Sequence, residues 1–271
     1  MKVVAVGECT VDRYLTQQVD TVGGISLNFA VNARRAGATA ALVSAAGTDS
    51  GHDAVSALLA REGVDATHVH QRPGATASQA IHLKAGERIF PPGGYTPGVL
   101  TDFQLGDDDR AFIAGFDIVA APLFSQIAHL FHAAMHAARP DALRVADLLD
   151  GTDLGPGLAG IDPLLPNIDL LFISGDHHTI DLLLPRSRRA RGLIVVTMGA
   201  RGSAALDHGR VTIAPAASVP EKDRVDTTGC GDAFQAAFTM AWYRNHDIPA
   251  ALHAGALQAS RVIRHLGGTG A

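Results

Sequence analysis

The chain has 271 residues, of which 47% are hydrophobic and 18% charged, the balance of a globular protein with a large buried core. Its formal net charge of −5 excludes a general nucleic-acid binder, because gripping a phosphate backbone needs a basic surface; local backbone amides can still hold a small anion. The two cysteines, Cys9 and Cys230, have no metal-ligand spacing and suit a reducing cytoplasm better than a disulfide framework.

The first apolar run, around Val3–Val6, is too short for a secretory signal or a membrane span and reads as a strand, so no membrane partner is expected. Further runs rich in Val, Ile and Ala follow at Ala40–Ala45, Ile118–Ala121, Leu143–Ala146, Leu170–Ile173 and Leu193–Thr197. Helical patterns lie between most of them, at Ser26–Ala36, Ala54–Arg61, Gln126–Ala138 and Ala233–Tyr243. This alternation predicts an α/β fold, with a doubly wound and mainly parallel sheet covered by helices on both faces, in one domain over 1–271. From His68 to Phe90 the pattern turns extended, with turns at Pro73-Gly74 and Ala85-Gly86, before Pro91-Pro92-Gly93-Gly94. It is expected to form a small antiparallel insertion, a lid made from about 10–22 and 68–95 at the ligand-binding end of the sheet.

The chemistry concentrates in Asp226-Thr227-Thr228-Gly229-Cys230-Gly231-Asp232, which opens the helical run toward His246. Gly229 and Gly231 clear side chains from the backbone, and the unpaired amides of a helix N-terminus carry partial positive charge, so this is an anion pocket. A carboxylate beside a bound phosphate, as at Asp232, is costly unless it serves as a base or sits close to a cation. A glycine loop with a capping Asp is the plain alternative. Gly23-Gly24-Ile25-Ser26-Leu27-Asn28 opens an earlier helix, where glycines admit a polar ligand and the Asn amide offers donor and acceptor. Thr197-Met198-Gly199-Ala200-Arg201-Gly202 follows a buried strand and could admit a nucleotide at the sheet edge.

Gly-Gly-x-x-x-Asn, Thr-Met-Gly-x-x-Gly and Asp-Thr-x-Gly-x-Gly-Asp, in this order and spacing, make the chain resemble the ribokinase-like, phosphofructokinase-B type carbohydrate kinases along its whole length. The resemblance implies ATP and Mg²⁺ as cosubstrates, a sugar as substrate, and a small β lid through which a homodimer can form. It implies Asp232 as the base and Gly229, Cys230 and Gly231 as the anion hole. Asp12, Gly23, Gly24, Asn28, Arg88 and Phe90 would meet the sugar. Ser174, Thr197, Gly199 and Gly202 would meet ATP, and Asp226 and Thr228 match positions that hold a monovalent cation, K⁺, in some members. Within the family, Gly63-Val64-Asp65, His68-Val69-His70, Glu87-Arg88-Ile89-Phe90, Tyr95-Thr96-Pro97-Gly98-Val99 and Asp102-Phe103 are similar to fructoselysine 6-kinases, which implies phosphorylation of a fructosamine or ketose at O6. Another small sugar or a nucleoside is the alternative acceptor. Two departures stand out: Cys230 replaces a small residue, and Ser174-Gly175-Asp176-His177 replaces Asn-x-x-Glu, leaving Mg²⁺ to Asp176, His177 or water.

Other signals are set aside. His129, His132 and His136 share a helix face, read as wet rather than zinc-binding. The basic run Arg186–Arg191 reads as a solvated helix end rather than an anion site, and Cys230 as a packed thiol rather than a nucleophile. A dinucleotide-binding oxidoreductase is excluded, since Gly7-Glu8-Cys9-Thr10-Val11-Asp12 lacks the glycine fingerprint. A non-catalytic binding relative is disfavoured by Asp232, which binding alone does not require.

Overall fold

A computed structural model describes residues 1–270. In chain order it runs β1 (Lys2–Val6), β2 (Thr10–Tyr14), β3 (Val19–Gly23), α1 (Ile25–Arg35), β4 (Thr39–Ala46), α2 (Ser50–Glu62) and β5 (Asp65–Gln71). Then come β6 (Ala77–Lys84), β7 (Glu87–Ile89), β8 (Tyr95–Thr96), α3 (Asp107–Ile113), β9 (Ile118–Pro122), α4 (Ala128–Ala137) and β10 (Leu143–Asp147). The remainder is β11 (Leu170–Ser174), α5 (His177–Ser187), β12 (Leu193–Thr197), β13 (Ser203–Asp207), β14 (Arg210–Ala214), α6 (Cys230–Asn245) and α7 (Ile248–Val262).

Among the described residues, nine strands form the main sheet in the order β14-β13-β12-β11-β10-β9-β1-β4-β5. From β5 to β12 every pairing is parallel, which is why these strands read as continuous apolar runs. Alternate side chains divide between two cores. Val4 and Val6 of β1 pack on the side of Ile113, Leu130 and Leu183, from α3, α4 and α5. Val3 and Ala5 pack with Leu27, Leu59, Phe238 and Leu252, from α1, α2, α6 and α7. The β13–β14 hairpin adds an antiparallel edge; the largely exposed pattern of β14 gave no continuous apolar run to find.

The chain leaves β1 toward β4 and β5 on one side, then returns to build β9 to β12 on the other. The switch point between β1 and β9 opens a crevice beyond their carboxyl ends, where open α/β sheets bind ligands. Ile25, Ser26, Pro122, Asp147 and Gln235 line its floor.

The expected lid corresponds to a second, smaller sheet, in the order β3-β2-β6-β7, with β8 also on β6. Two expectations are corrected here. His68–His70 does not belong to the lid, because β5 pairs in parallel with β4 (Val43↔His68, Ala45↔His70) after the α2 crossover. Nor is the lid wholly antiparallel: β2 and β6 pair in parallel, Asp12 opposite Gln79. An extended pattern reveals a strand but not which sheet receives it.

Candidate active site

The first turn of α6 faces the crevice. Gly229 takes φ 75°, and a Cβ there would lie 2.2 Å from the Gly268 Cα, so glycine is required twice over. Gly231 differs: a Cβ would meet nothing within 4 Å. Gly229 is thus fixed by the fold, whereas Gly231 leaves open space over helix amides that have no intrahelical partner. The Cys230 sulfur lies 3.7 Å from the Ala259 carbonyl and 3.9 Å from that of Asp226. Burial pushes this thiol up to about 12, which suits packing rather than nucleophilic work.

Asp232, in the same turn, accepts a hydrogen bond of 2.8 Å from the Asn28 Nδ2. Asn28 is 3% exposed, and its Oδ1 has no partner within the protein. Gly268 presses against this amide, since a Cβ there would lie 2.3 Å from Nδ2. Burial pushes the Asp232 carboxyl up to about 7, helped by the nearby Asp147 and opposed by Asn28 and Arg88. That value keeps Asp232 near the balance point of a general base at neutral pH.

Asp12 is buried on β2, accepting the Thr10 hydroxyl at 2.7 Å, and burial brings its carboxyl to about 7 with Asp232 adding to the rise. Its carboxylate lies across Gly23, where a Cβ would fall 2.0 Å from Oδ2. Gly24, at φ 103°, lets α1 begin against the Glu8 carbonyl and the Cys9 backbone. Both glycines therefore bring protein groups together, with Asp12 and Asn28 beside them.

Sequence reasoning missed three participants. Glu8 ends the loop from β1, accepts the Ile25 amide at 3.1 Å and leaves its buried Oε2 unpartnered. Burial pushes it to about 7. Asp147 closes β10; burial raises its carboxyl against hydrogen bonds from Gln235 and the Leu149 amide. The signal was available: acidic residues ending apolar strands stand at the ligand-binding edge of such sheets. Gly268 carried no local signal.

Asp226 is fully buried and accepts the Tyr14 hydroxyl, the Thr228 amide at 2.8 Å and the Gly267 amide at 2.9 Å. With three donors from its own chain, this carboxylate ties the second sheet to the loop before α6. The Thr228 hydroxyl is buried beside it.

The β6–β7 hairpin docks on the same loop. Thr227 donates its amide to the Gly86 carbonyl at 2.9 Å and accepts the Arg88 amide on its hydroxyl at 3.0 Å. The Arg88 guanidinium donates to the Thr227 carbonyl at 2.6 Å. Its charge lowers Asp12, Asp147 and Asp232 alike. Phe90 lies 5.3 Å from the Arg88 guanidinium and is 50% exposed. It supports Arg88 and is not a buried lining residue.

The Ser174 and Thr197 hydroxyls are 3.3 Å apart at the tips of β11 and β12. Gly199 has open space about it, whereas a Cβ on Gly202 would meet the Ala214 carbonyl at 2.1 Å. The open cradles at Gly199 and Gly231 fit an ATP whose triphosphate reaches the start of α6. Asp176 is an N-cap, accepting the Thr179 amide at 3.0 Å, which explains the acidic residue without a metal. Among the signals set aside, His129 donates to the Phe103 carbonyl at 2.9 Å, and the α4 histidines form no metal cluster among the described residues. Arg186 and Arg189 pair with Asp162, and Arg191 with Asp169.

No described helix is long and apolar enough to cross a membrane. The pattern of the pfkB family carbohydrate kinases matches residues 1–271. Fructoselysine 6-kinase of Escherichia coli is 31% identical over 272 residues, covering 98% of this chain and 99% of that protein. Among solved structures, adenosine kinase from Sinorhizobium meliloti superposes with a TM-score of 0.84 at 18% identity, over 98% of this chain and 95% of the other. A candidate Ribokinase II from Escherichia coli, in complex with ATP and Mg²⁺, gives 0.79 at 19% identity, over 99% and 94%. These two share the fold, the mixed α/β sheet with its smaller second sheet. The chain is an ATP-dependent phosphotransferase that belongs to the pfkB family of carbohydrate kinases.

Proposed function

We propose that this kinase phosphorylates a fructosamine, a ketose bearing an amine-linked group such as fructoselysine, at O6, with Asp232 as the base. The observation that carries this reading is the crowd of buried carboxylates at the switch point. Glu8, Asp12 and Asp232 are each brought to about 7 by burial, with Asp147 raised beside them and Arg88 the cation that offsets Asp12, Asp147 and Asp232. A substrate ammonium would offset the burial that disfavours their ionised forms, which a neutral hexose or nucleoside cannot do. The likeness to fructoselysine 6-kinase supports the same acceptor.

In this reading Asn28 orients the Asp232 carboxylate, which takes the proton of the attacking hydroxyl. The Gly231 amide receives the transferred phosphoryl oxygens, where charge is being redistributed, whereas the Cys230 amide is given to the Thr227 carbonyl at 3.3 Å. ATP supplies the phosphoryl group and the ADP leaving group, and Mg²⁺, when bound with it, would neutralise phosphate charge. Asp12 and Asn28 hold sugar hydroxyls, Arg88 holds the closed lid, and Ser174, Thr197 and Gly199 hold the nucleotide. The lid of β2, β3 and β6–β8 excludes water, a competing acceptor. Its exposed Leu15, Val19, Ile89 and Phe90 favour a homodimer joined there. The free thiols of Cys9 and Cys230 suit a reducing cytoplasm.

ADP release measured across fructosamines, hexoses, pentoses and nucleosides tests the assignment. Fructoselysine is expected to lead neutral sugars by roughly 10-fold or more in kcat/KM, the equivalent of about 1.4 kcal/mol. A preference for a nucleoside or a neutral ketose contradicts it.

A further inference from the structure

The α4 histidines were read as a wet face, but a different set of histidines converges at the edge of the main sheet. His68 and His70 lie two residues apart on β5, so both side chains leave the same face of the strand. Asp109, on α3, lies opposite them. One carboxylate oxygen, Asp109 Oδ1, stands 2.7 Å from the His68 Nδ1 and 2.8 Å from the His70 Nε2. The three ligand-type atoms all lie within 4.8 Å of one another.

The site is held in place around these atoms. Asp109 is 3% exposed, and its second oxygen accepts the Gly106 amide at 2.9 Å. The His68 ring stacks on Phe112 at 4.0 Å between centroids, and His70 leans on Phe103 at 5.3 Å. Both rings therefore have few rotamers left, and their orientation is set before any ligand arrives. His70 retains 41% of its side-chain exposure, which leaves a path for an ion and a water molecule.

We propose that His68, His70 and Asp109 form a binding site for a borderline-soft divalent ion of the zinc class, with water as fourth ligand. Two imidazole nitrogens and one carboxylate oxygen are a donor set for such an ion, whereas Mg²⁺ and Ca²⁺ prefer oxygen alone. Tetrahedral bonding needs the nitrogens to withdraw slightly from Oδ1, a small rotation about bonds already aimed inward. The ion would clamp α3 to β5, closing off an edge strand that is otherwise open to pairing. The site stands two strands from β1, roughly 10 Å across the sheet, and shares no residue with the kinase site.

The probe is Zn²⁺ itself, titrated into the full-length protein against a chromophoric chelator, with Co²⁺ absorption reporting ligand geometry. One ion per chain is expected, Mg²⁺ should not compete, and the melting temperature should rise with stoichiometric Zn²⁺. His70→Ala removes a half-exposed ligand and should fold; it should weaken binding at least ~10-fold, as should His68→Gln. Kinase turnover with Mg²⁺-ATP should be unchanged in His70→Ala. Failure of the wild type to take up Zn²⁺, or equal uptake by both variants, would show a hydrogen-bonded cluster only. Loss of uptake in His132→Ala with His70→Ala unaffected would place the metal on α4 and overturn the proposal.

Discussion

The amide of Asn28, on α1, donates to the carboxylate of Asp232, on α6, across 204 positions of sequence. One hydrogen bond thus joins the residue expected to hold the sugar to the residue expected to deprotonate it. Asn28→Ala should raise the sugar KM roughly 5- to 150-fold, the equivalent of losing a buried polar partner at about 1–3 kcal/mol. The ATP KM should move much less. Since Asn28 also lowers the Asp232 carboxyl, the acid limb of kcat/KM should shift upward in this variant. Saturation curves at several pH values check both effects, and a change confined to ATP would place Asn28 at the wrong end of the site.

The buried carboxylates give activity and stability opposite pH trends. Asp232 at about 7 must be ionised to act, so kcat/KM should fall as pH drops below about 7. Stability runs the other way. Glu8, Asp12 and Asp232 rise from 4.5, 3.8 and 3.8 to about 7 on folding. The folded state then binds more protons than the unfolded state between these limits, and stability declines as pH rises through the window. The melting temperature of the ligand-free protein should decrease from pH 5 to pH 8, with a shallower decrease in Asp12→Asn; a rising profile would refute this.

The two glycines of the anion loop should fail differently. Gly229→Ala forces a side chain into φ 75° and against Gly268, so it should lose stability by at least the roughly 1–2 kcal/mol of a left-handed residue. Gly231→Val has space in the folded protein and should fold, yet lose most turnover because its methyls occupy the phosphate's place. Cys230→Ala should be nearly silent. Melting curves paired with turnover separate the three, and an inactive Cys230→Ala would give the thiol a chemical role.

Thr227 is the catch of the lid. Thr227→Val removes the hydroxyl that accepts the Arg88 amide and keeps the volume. Loosened closure should raise hydrolysis of ATP without sugar relative to sugar phosphorylation. An unchanged ratio of the two rates would show that the hairpin is held elsewhere.

Much of this architecture could be read from the sequence, for a physical reason. Strands buried on both faces, such as Leu170–Ser174, cannot conceal their apolar continuity, and the helix-opening glycines mark where backbone meets ligand. Asp232, Asn28 and Asp12 were legible because they sit in or beside such openings. Glu8 and Asp147 offered only their place at or just after strand ends; their importance comes from burial beside one another, which depends on distant strands aligning. His68 and His70 were read as lid because period-two patterning does not state a partner strand. Their meeting with Asp109, 39 and 41 positions away, belongs to the crossover geometry alone.

The central claim is that Asp232 accepts the proton of the attacking hydroxyl, and Asp232→Asn tests it most directly. The substitution keeps size and removes the base. With ATP and fructoselysine, kcat should fall roughly 10²–10⁴-fold, the usual worth of general acid–base catalysis, while ATP affinity stays near that of the wild type. Near-normal turnover in the folded variant would contradict the account.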